Sequence, residues 1–357
     1  MCKFYSAIVS RSCELYHKTS LISHEDIINY YDLNDLSLHN YLCRVEFYPD
    51  DVKDILDVNM YKLHVDENAI PIWFDIELQD VMISKLKDII NNMIIKVDTK
   101  ILCDGGYILG NNITVNQLKN TIIYYANSAT IIDANSATII DANSATIEDA
   151  NNATIKNAGS ATIEDANNAT IKNAGSATIE DAGSATIEYA NSATIEYANS
   201  ATIEYANSAT IEDANSATIE DANNATIENA GYATIENANS ATIEDANNAT
   251  IENAGYATIE NAGSATIEYA GSATIKDANS ATIIDAGYAT IKYANNATIE
   301  YAGSATIKNA GSATIKNANY ATIEDANYAT IEDANNATIK NAGSATIKHT
   351  GYATITK

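Results

Sequence analysis

Proline, cysteine and large aromatics are scarce in this chain: two Pro, four Cys, one Trp and three Phe among 357 residues. All of them lie before residue 104, so whatever follows cannot build its core from Trp or Phe, disulfides or proline-stiffened loops. Cys2, Cys13, Cys43 and Cys103 form no CxxC pair, a usage that fits a reducing cytoplasm. Basic residues are few, 20 against 47 acids, and the net charge of −27 disfavours direct binding to nucleic acid or an anionic membrane. No apolar run approaches ~18 residues, and the opening residues lack a signal peptide's apolar core. A soluble protein with no membrane span is expected. No phosphate loop, catalytic triad or metal-ligand spacing occurs, so no enzyme activity, cofactor or metal site is expected.

What is present is repetition. From Ala126 to Lys357 one octad, A-[N/G]-[S/N/Y]-A-T-I-x-x, is written 29 times without an insertion. A unit too short to bury its own apolar face must stack on copies of itself, so this period predicts a solenoid. Position seven is Glu in 17 copies, Lys in eight, Ile in three and Thr in one, and a position that accepts either charge faces water. Side chains alternate along a strand, which puts the sixth-position Ile (Ile131, Ile139, Ile147, Ile155 onward) and the preceding Ala inside, with Thr between them outside. Position two is Asn or Gly in every copy (Asn127, Asn135, Gly159, Gly175), the residues that tolerate a left-handed backbone, so each octad is expected to turn there. A helix is excluded because Gly or Asn recurs every eighth residue. The fold class is therefore mainly β: an octapeptide-repeat β-solenoid with an N-terminal α+β capping domain. Two octads per coil predict about 14 coils over ~70 Å, and three predict ~46 Å. The narrow Ala-rich interior favours two.

Residues 1–109 read as the cap. Expected elements are strands at Phe4–Val9, Cys43–Phe47 and Tyr61–Val65, a hairpin partner at Glu14–His17, and a helix that Ser23 opens with capping-box spacing to Asp26. Glu77–Ile95 is one long amphipathic helix with Leu78, Val81, Met82, Leu86, Ile89, Ile90 and Met93 on its apolar face. Trp73 is expected against that helix, and the last strands of the unit, at Lys100–Cys103 and Tyr107–Leu109, are expected to run into the solenoid. Residues 110–125 match the octad as two worn copies, so the solenoid is expected over 110–357, regular from 126. Lys340, Lys348, His349 and Lys357 are expected to blunt the far edge.

Candidate chemistry is thin. Cys2 could become an amino-terminal nucleophile, but no oxyanion partner follows it, and a packed thiol is the plainer reading. His24 beside Glu25 and Asp26 could be a base or ligand, though a helix's first turn collects acids for dipole reasons. His17, His39 and His64 have no ligand-like spacing. The strongest surface is the run of seventh-position glutamates: Glu180, Glu188, Glu196, Glu204, Glu212, Glu220, Glu228, Glu236, Glu244, Glu252, Glu260 and Glu268. It predicts an acidic face that is either a solvated, solubilising surface, the plainer reading, or a site for a basic protein partner, with end-to-end or face-to-face self-association as a further option. Tyrosines occupy positions three and eight and show no regular parity along the octads.

The layout resembles a group of bacteriophage and bacterial proteins without established function. The resemblance rests on Met-Cys-Lys-Phe-Tyr-Ser-Ala-Ile-Val at the start, Ser-His-Glu-Asp-Ile-Ile, Cys-Arg-Val-Glu-Phe, Tyr-Lys-Leu-His-Val-Asp-Glu, and Trp73-Phe74 ahead of the octads. It implies the same solenoid and transfers no catalytic residues; Ala stands here at an inward position where relatives are expected to carry Met, which thins the tube. The glutamate ladder is similar in strategy to pentapeptide-repeat proteins that mimic duplex DNA. Ala-Gly-Tyr-Ala-Thr at 230–234 and 254–258 is similar to the bacterial ice-nucleation octapeptide, although Ile follows Thr directly here. The expected role is a non-enzymatic structural or protein-interaction surface. The alternatives are an acidic decoy for basic nucleic-acid proteins and an ice-binding protein.

Overall fold

Each Thr-Ile pair of the octads forms a short parallel strand in the computed structural model, which describes residues 5–33 and 41–357. The alternation of the strand explains the choice of residues: Thr is half-buried, Ile and both Ala positions are buried, and position seven turns outward. Thr202 pairs with Thr218 and Ile203 with Ile219, while Thr210 pairs with Thr226. One coil is therefore sixteen residues, two octads, and successive octads alternate between two parallel sheets. From Thr146 onward, main-chain bonds such as Thr146 N–H to Ala129 and Thr202 N–H to Ala185 run from Thr to the Ala carbonyl of the preceding coil at 2.9–3.0 Å. A second bond closes each Ala-x-x-Ala corner at 2.6–3.0 Å, from the second Ala N–H back to the first Ala carbonyl.

The chain divides into two compact units, Met1–Lys156 and Asn157–Lys357. The first contains a four-stranded antiparallel sheet of order β2-β1-β3-β4, with β1 at Ser6–Ser10, β2 at Leu15–Tyr16, β3 at Leu42–Pro49 and β4 at Tyr61–Val65. Helix α1 (His24–Tyr30) begins at Ser23, whose hydroxyl accepts from the Asp26 N–H. Asp75 caps helix α2 (Ile76–Met93) in the same way, accepting from the Leu78 N–H. Met82, Leu86, Ile90 and Met93 form the buried face of α2. Val81, expected on that face, is 50 % exposed, because the face is narrower than the apolar spacing implies.

The parallel ladder begins at Ile94, ahead of the expected start at 110. Strand β5 (Ile94–Ile95) follows α2 directly and pairs with β7 (Gly106–Leu109), while β6 (Thr99–Cys103) pairs with β8 (Thr114–Lys119). The pairing offset is fourteen residues from Ile94 to Ile108 and sixteen from Thr99 to Val115, and the octad's Ala, Asn and Thr spacing is absent, so the sequence shows strands here but not that they are coils. Strand β9 (Ile122–Tyr125) pairs with both β7 and Thr138-Ile139. The cap and these first coils share one core, in which Tyr5, Phe47, Phe74 and Leu86 pack with Ile94, Ile108 and Tyr124; Trp73 lies half-buried against it. Gly106 has no room for a side chain, since a Cβ would sit 1.9 Å from the Thr19 carbonyl oxygen. Two further bonds fix the approach, from Gly106 N–H to Thr19 Oγ1 at 3.0 Å and from Tyr124 Oη to the Thr19 carbonyl at 2.8 Å.

The second unit is octads alone. Its strands start at Thr162, Thr178 and every sixteenth residue to Thr354 in one sheet, and at Thr170 to Thr346 in the other. The left-handed corner expected at position two forms in most octads but not at Asn127, Asn191, Asn207 or Gly255, among others, and it is only half of the bend. Position eight is also left-handed in every octad from Asp213 (φ 46) to His349 (φ 50). Asp and Asn accept that conformation at modest cost, which accounts for their frequency there. Asp165, Asp181 and Tyr197 instead end four-residue strands. Among the described residues no helix is long and apolar enough to cross a membrane.

Two substitutions separate these roles. Gly106→Ala forces the Thr19 segment away, and a destabilisation of at least about 1–3 kcal/mol is expected. Ile219→Ala empties one rung of the column, and a loss of roughly 2–5 kcal/mol is expected. Denaturant unfolding of both variants, with Glu220→Ala as the near-neutral control, checks them.

Candidate functional site

Because the coils are in register, each surface position becomes a column with one side chain per coil, ~4.8 Å apart. The expected glutamates sort into two such columns. Glu180, Glu196, Glu212, Glu228, Glu244 and Glu260 follow the strands of one sheet, and Glu188, Glu204, Glu220, Glu236, Glu252 and Glu268 those of the other. All are exposed or half-exposed. Two carboxylates at ~4.8 Å repel by about 0.9 kcal/mol in water, and salt screens this over ~8 Å. Each therefore feels mainly its nearest neighbours along the column.

Lysines enter these columns at their ends. Lys172 meets Glu188 at 2.8 Å, and Lys276 pairs with Glu260. Beyond them the signs mix: Lys316 pairs with Glu300 at 2.7 Å and Lys348 with Glu332 at 2.8 Å. Lys340, Lys348 and His349, expected as a blunt edge, reach back one coil to Glu324, Glu332 and Asp333. The sixteen-residue interval of these pairs was the signal, and it stays hidden while octads are read one at a time. The hydrogen bond and charge of Lys348 hold the Glu332 carboxyl below the ordinary glutamate range. Glu300 and Glu188 raise Lys316 and Lys172 in the same way.

Asparagine adds neutral ladders. Asn207 donates to Asn191, Asn223 to Asn207 and Asn239 to Asn223, at 2.7–3.4 Å. On each flat face the outward residues are Thr and position seven, while the third-position Ser sits in the corner turn. The faces therefore do not present two threonines flanking one inward residue.

The cap holds the other candidates. His24 is buried, with Nε2 3.0 Å from the Val45 carbonyl oxygen and Nδ1 3.3 Å from Asp66 Oδ2. A cavity of about 460 Å³ lies beside it, lined by Ser23, Glu25, Ile28, Asn29 and Arg44. Arg44 is tied to Glu67 at 3.0 Å. His24 thus joins α1 to the sheet rather than standing open as a base. His17 receives the Tyr5 hydroxyl at 2.9 Å, and burial lowers its pKa. His64 stacks on Tyr48 at 4.1 Å.

Ser6, Glu46 and His64 are cross-strand neighbours, a row the sequence gave no reason to assemble. Ser6 Oγ and His64 Nε2 are buried without a hydrogen-bond partner. The carboxylate stands between hydroxyl and imidazole, so the ring is not placed to take the serine proton. Cys43 is buried and its thiol is pushed up to about 12, chiefly by desolvation, which removes it as a nucleophile. Cys2 and His39 lie outside the described residues. Among the described residues no three His, Cys, Asp or Glu side chains converge on a metal position.

The lysine–glutamate rungs give a pH test. Glu332 is depressed by Lys348, so its stabilising contribution is full above the ordinary glutamate range and fades as pH falls through its lower folded value. Lys348→Met is expected to return Glu332 to an ordinary titration, read by carboxyl chemical shifts; an unchanged midpoint would show that the pair does not form. In comparisons with known protein families, characterised proteins and solved structures, nothing matches this chain.

Proposed function

We propose that this chain is a non-enzymatic cytoplasmic scaffold whose acidic columns bind a basic protein partner. The supporting observation is the pair of in-register glutamate columns between residues 180 and 268. A surface that repeats one charged group at each coil engages a partner at many equivalent points, and weak contacts then add through multivalency rather than through one pocket. The described cysteines, Cys13, Cys43 and Cys103, carry no disulfide, which fits a reducing compartment.

Charge density favours one partner class, the basic proteins that bind nucleic acid. Residues 180–268 contain 12 Glu and 4 Asp and no Lys or Arg. At sixteen residues per coil this stretch spans about 27 Å, one negative charge per ~1.7 Å. Duplex DNA carries one per ~1.7 Å. Averaged over all the octads the acidity is diluted by lysines; in this stretch it is not.

A sequence-independent basic DNA-binding protein is the test partner. Binding to the full chain is expected to weaken steeply between about 50 and 300 mM salt and to be displaced by duplex DNA. Glu→Gln changes at Glu212, Glu220, Glu228 and Glu236 are expected to lower both affinity and salt slope. Binding indifferent to salt, or equal in the Gln variant, would remove the acidic columns from the function.

A further inference from the structure

Tyrosine has no parity when octads are read singly, but it acquires one at the sixteen-residue coil. Tyr256, Tyr288, Tyr320 and Tyr352 occupy the third position of one corner of the second unit at intervals of two coils. They are among its most exposed side chains, at 74, 75, 65 and 90 %. In the intervening coils the third position is Ser272 or Ser304, and there the eighth position of the same corner becomes tyrosine, as Tyr269 and Tyr301. These two are 56 and 55 % exposed. From Tyr256 to Tyr320 each coil thus carries one ring at this corner, alternately on either side of the turn. The opposite corner holds only Tyr293 and Tyr328 over the stretch from 256 to 352.

Between the two rows the second position is Gly255, Gly271, Gly287 and Gly303 in four successive coils. Of these, Gly271, Gly287 and Gly303 have positive φ, and conformation alone does not require glycine there, since Asn199, Asn215, Asn247 and Asn279 take positive φ at the opposite corner. What glycine adds is a bare floor: a Cβ on Gly271, Gly287 or Gly303 would lie 3.0–3.1 Å from the carbonyl oxygen of the glycine one coil before. The eighth-position rings stand on a strained backbone, with φ 50 at Tyr269 and φ 51 at Tyr301, where most octads have Asn or Asp and where Tyr189, Tyr205 and Tyr293 share the same conformation. Non-glycine residues held there cost of order 1–3 kcal/mol, and such strain concentrates at binding sites. This region is also nearly neutral, with 6 Lys against 7 acids between residues 269 and 352, in a chain of net charge −27.

We propose that this corner binds an uncharged, extended β-1,4-linked glycan, with sugar rings stacked on the tyrosines above the glycine floor. The geometry chooses the ligand. Rings on one side repeat every ~9.6 Å and the opposite row is offset by ~4.8 Å. A β-1,4-linked chain is a flat ribbon with two-fold screw symmetry, each sugar flipped relative to the last, and it repeats every two sugars over about the length of two coils. Alternate sugars then offer their apolar C–H faces to alternate rows. A polyproline helix turns in ~9.3 Å and could match one row, but its three-fold symmetry cannot serve two rows offset by half a repeat. An extended peptide repeats every ~6.8 Å and fits neither. Ser272, Ser304 and the tyrosine hydroxyls are available for the sugar hydroxyls. The site lies on a corner, away from the two glutamate columns, and does not depend on the acidic-partner reading.

Titration of the full chain with cellohexaose and chitohexaose, followed by tyrosine fluorescence and calorimetry, tests the proposal, with maltohexaose and a proline-rich peptide as controls. Saturable binding of a β-1,4 hexasaccharide is expected, weakened about tenfold by Tyr288→Ala and again by Tyr301→Ala. Tyr293→Ala with Tyr328→Ala, on the opposite corner, is expected to leave it unchanged, and matching circular dichroism shows all variants folded. No β-1,4 binding at millimolar sugar, equal binding of maltohexaose, insensitivity to the two corner variants, or capture of the proline-rich peptide alone would each overturn it.

Discussion

The bond from a threonine N–H to the alanine carbonyl one coil earlier is the interaction on which everything else rests. It fixes the sixteen-residue register, and any slip of fewer than eight residues moves every isoleucine out of its column. The hydrophobic pattern and the main-chain ladder therefore enforce one another. Neither suffices alone, because an octad buries one Ile and two small methyl groups while ordering eight residues of backbone. Stability is a property of the stack.

That register turns a one-dimensional repeat into surface columns. A substitution at one position of the octad changes a rung, and a run of them changes a face. The glutamates between residues 180 and 268 accept neighbour repulsion of about 0.9 kcal/mol per contact in water, a small cost beside the core. Farther along, lysines one coil away from glutamates remove it. The same scaffold therefore carries a densely acidic stretch and a nearly neutral aromatic one without any change to its interior.

Much of this was legible in the residues. The Ile column and the outward seventh position follow from alternation, the left-handed second position of most octads follows from the tolerance of Gly and Asn, and the narrow Ala interior favoured two octads per coil. The cap's strands and both helices were readable from capping residues and apolar spacing. Other features left no local signal. The strands at Lys100–Cys103 and Tyr107–Leu109 were readable, but with Ile and Leu in place of the octad's small residues only their pairing with β8 and β9 shows that they are coils. The second bend at position eight was masked by the variety of residues there. His24, which sequence placed only in the first turn of a helix, is buried against Val45 and Asp66.

The sequence by itself determined the repeat, its inward and outward positions and the sign of its surface, because each depends on alternation within a single octad. The tertiary structure decided which octads share a face. Parity at sixteen residues is invisible in a period of eight, since both half-coils use the same core residues. Only pairing between coils places Lys348 over Glu332 and gathers Tyr256, Tyr288 and Tyr320 on one corner.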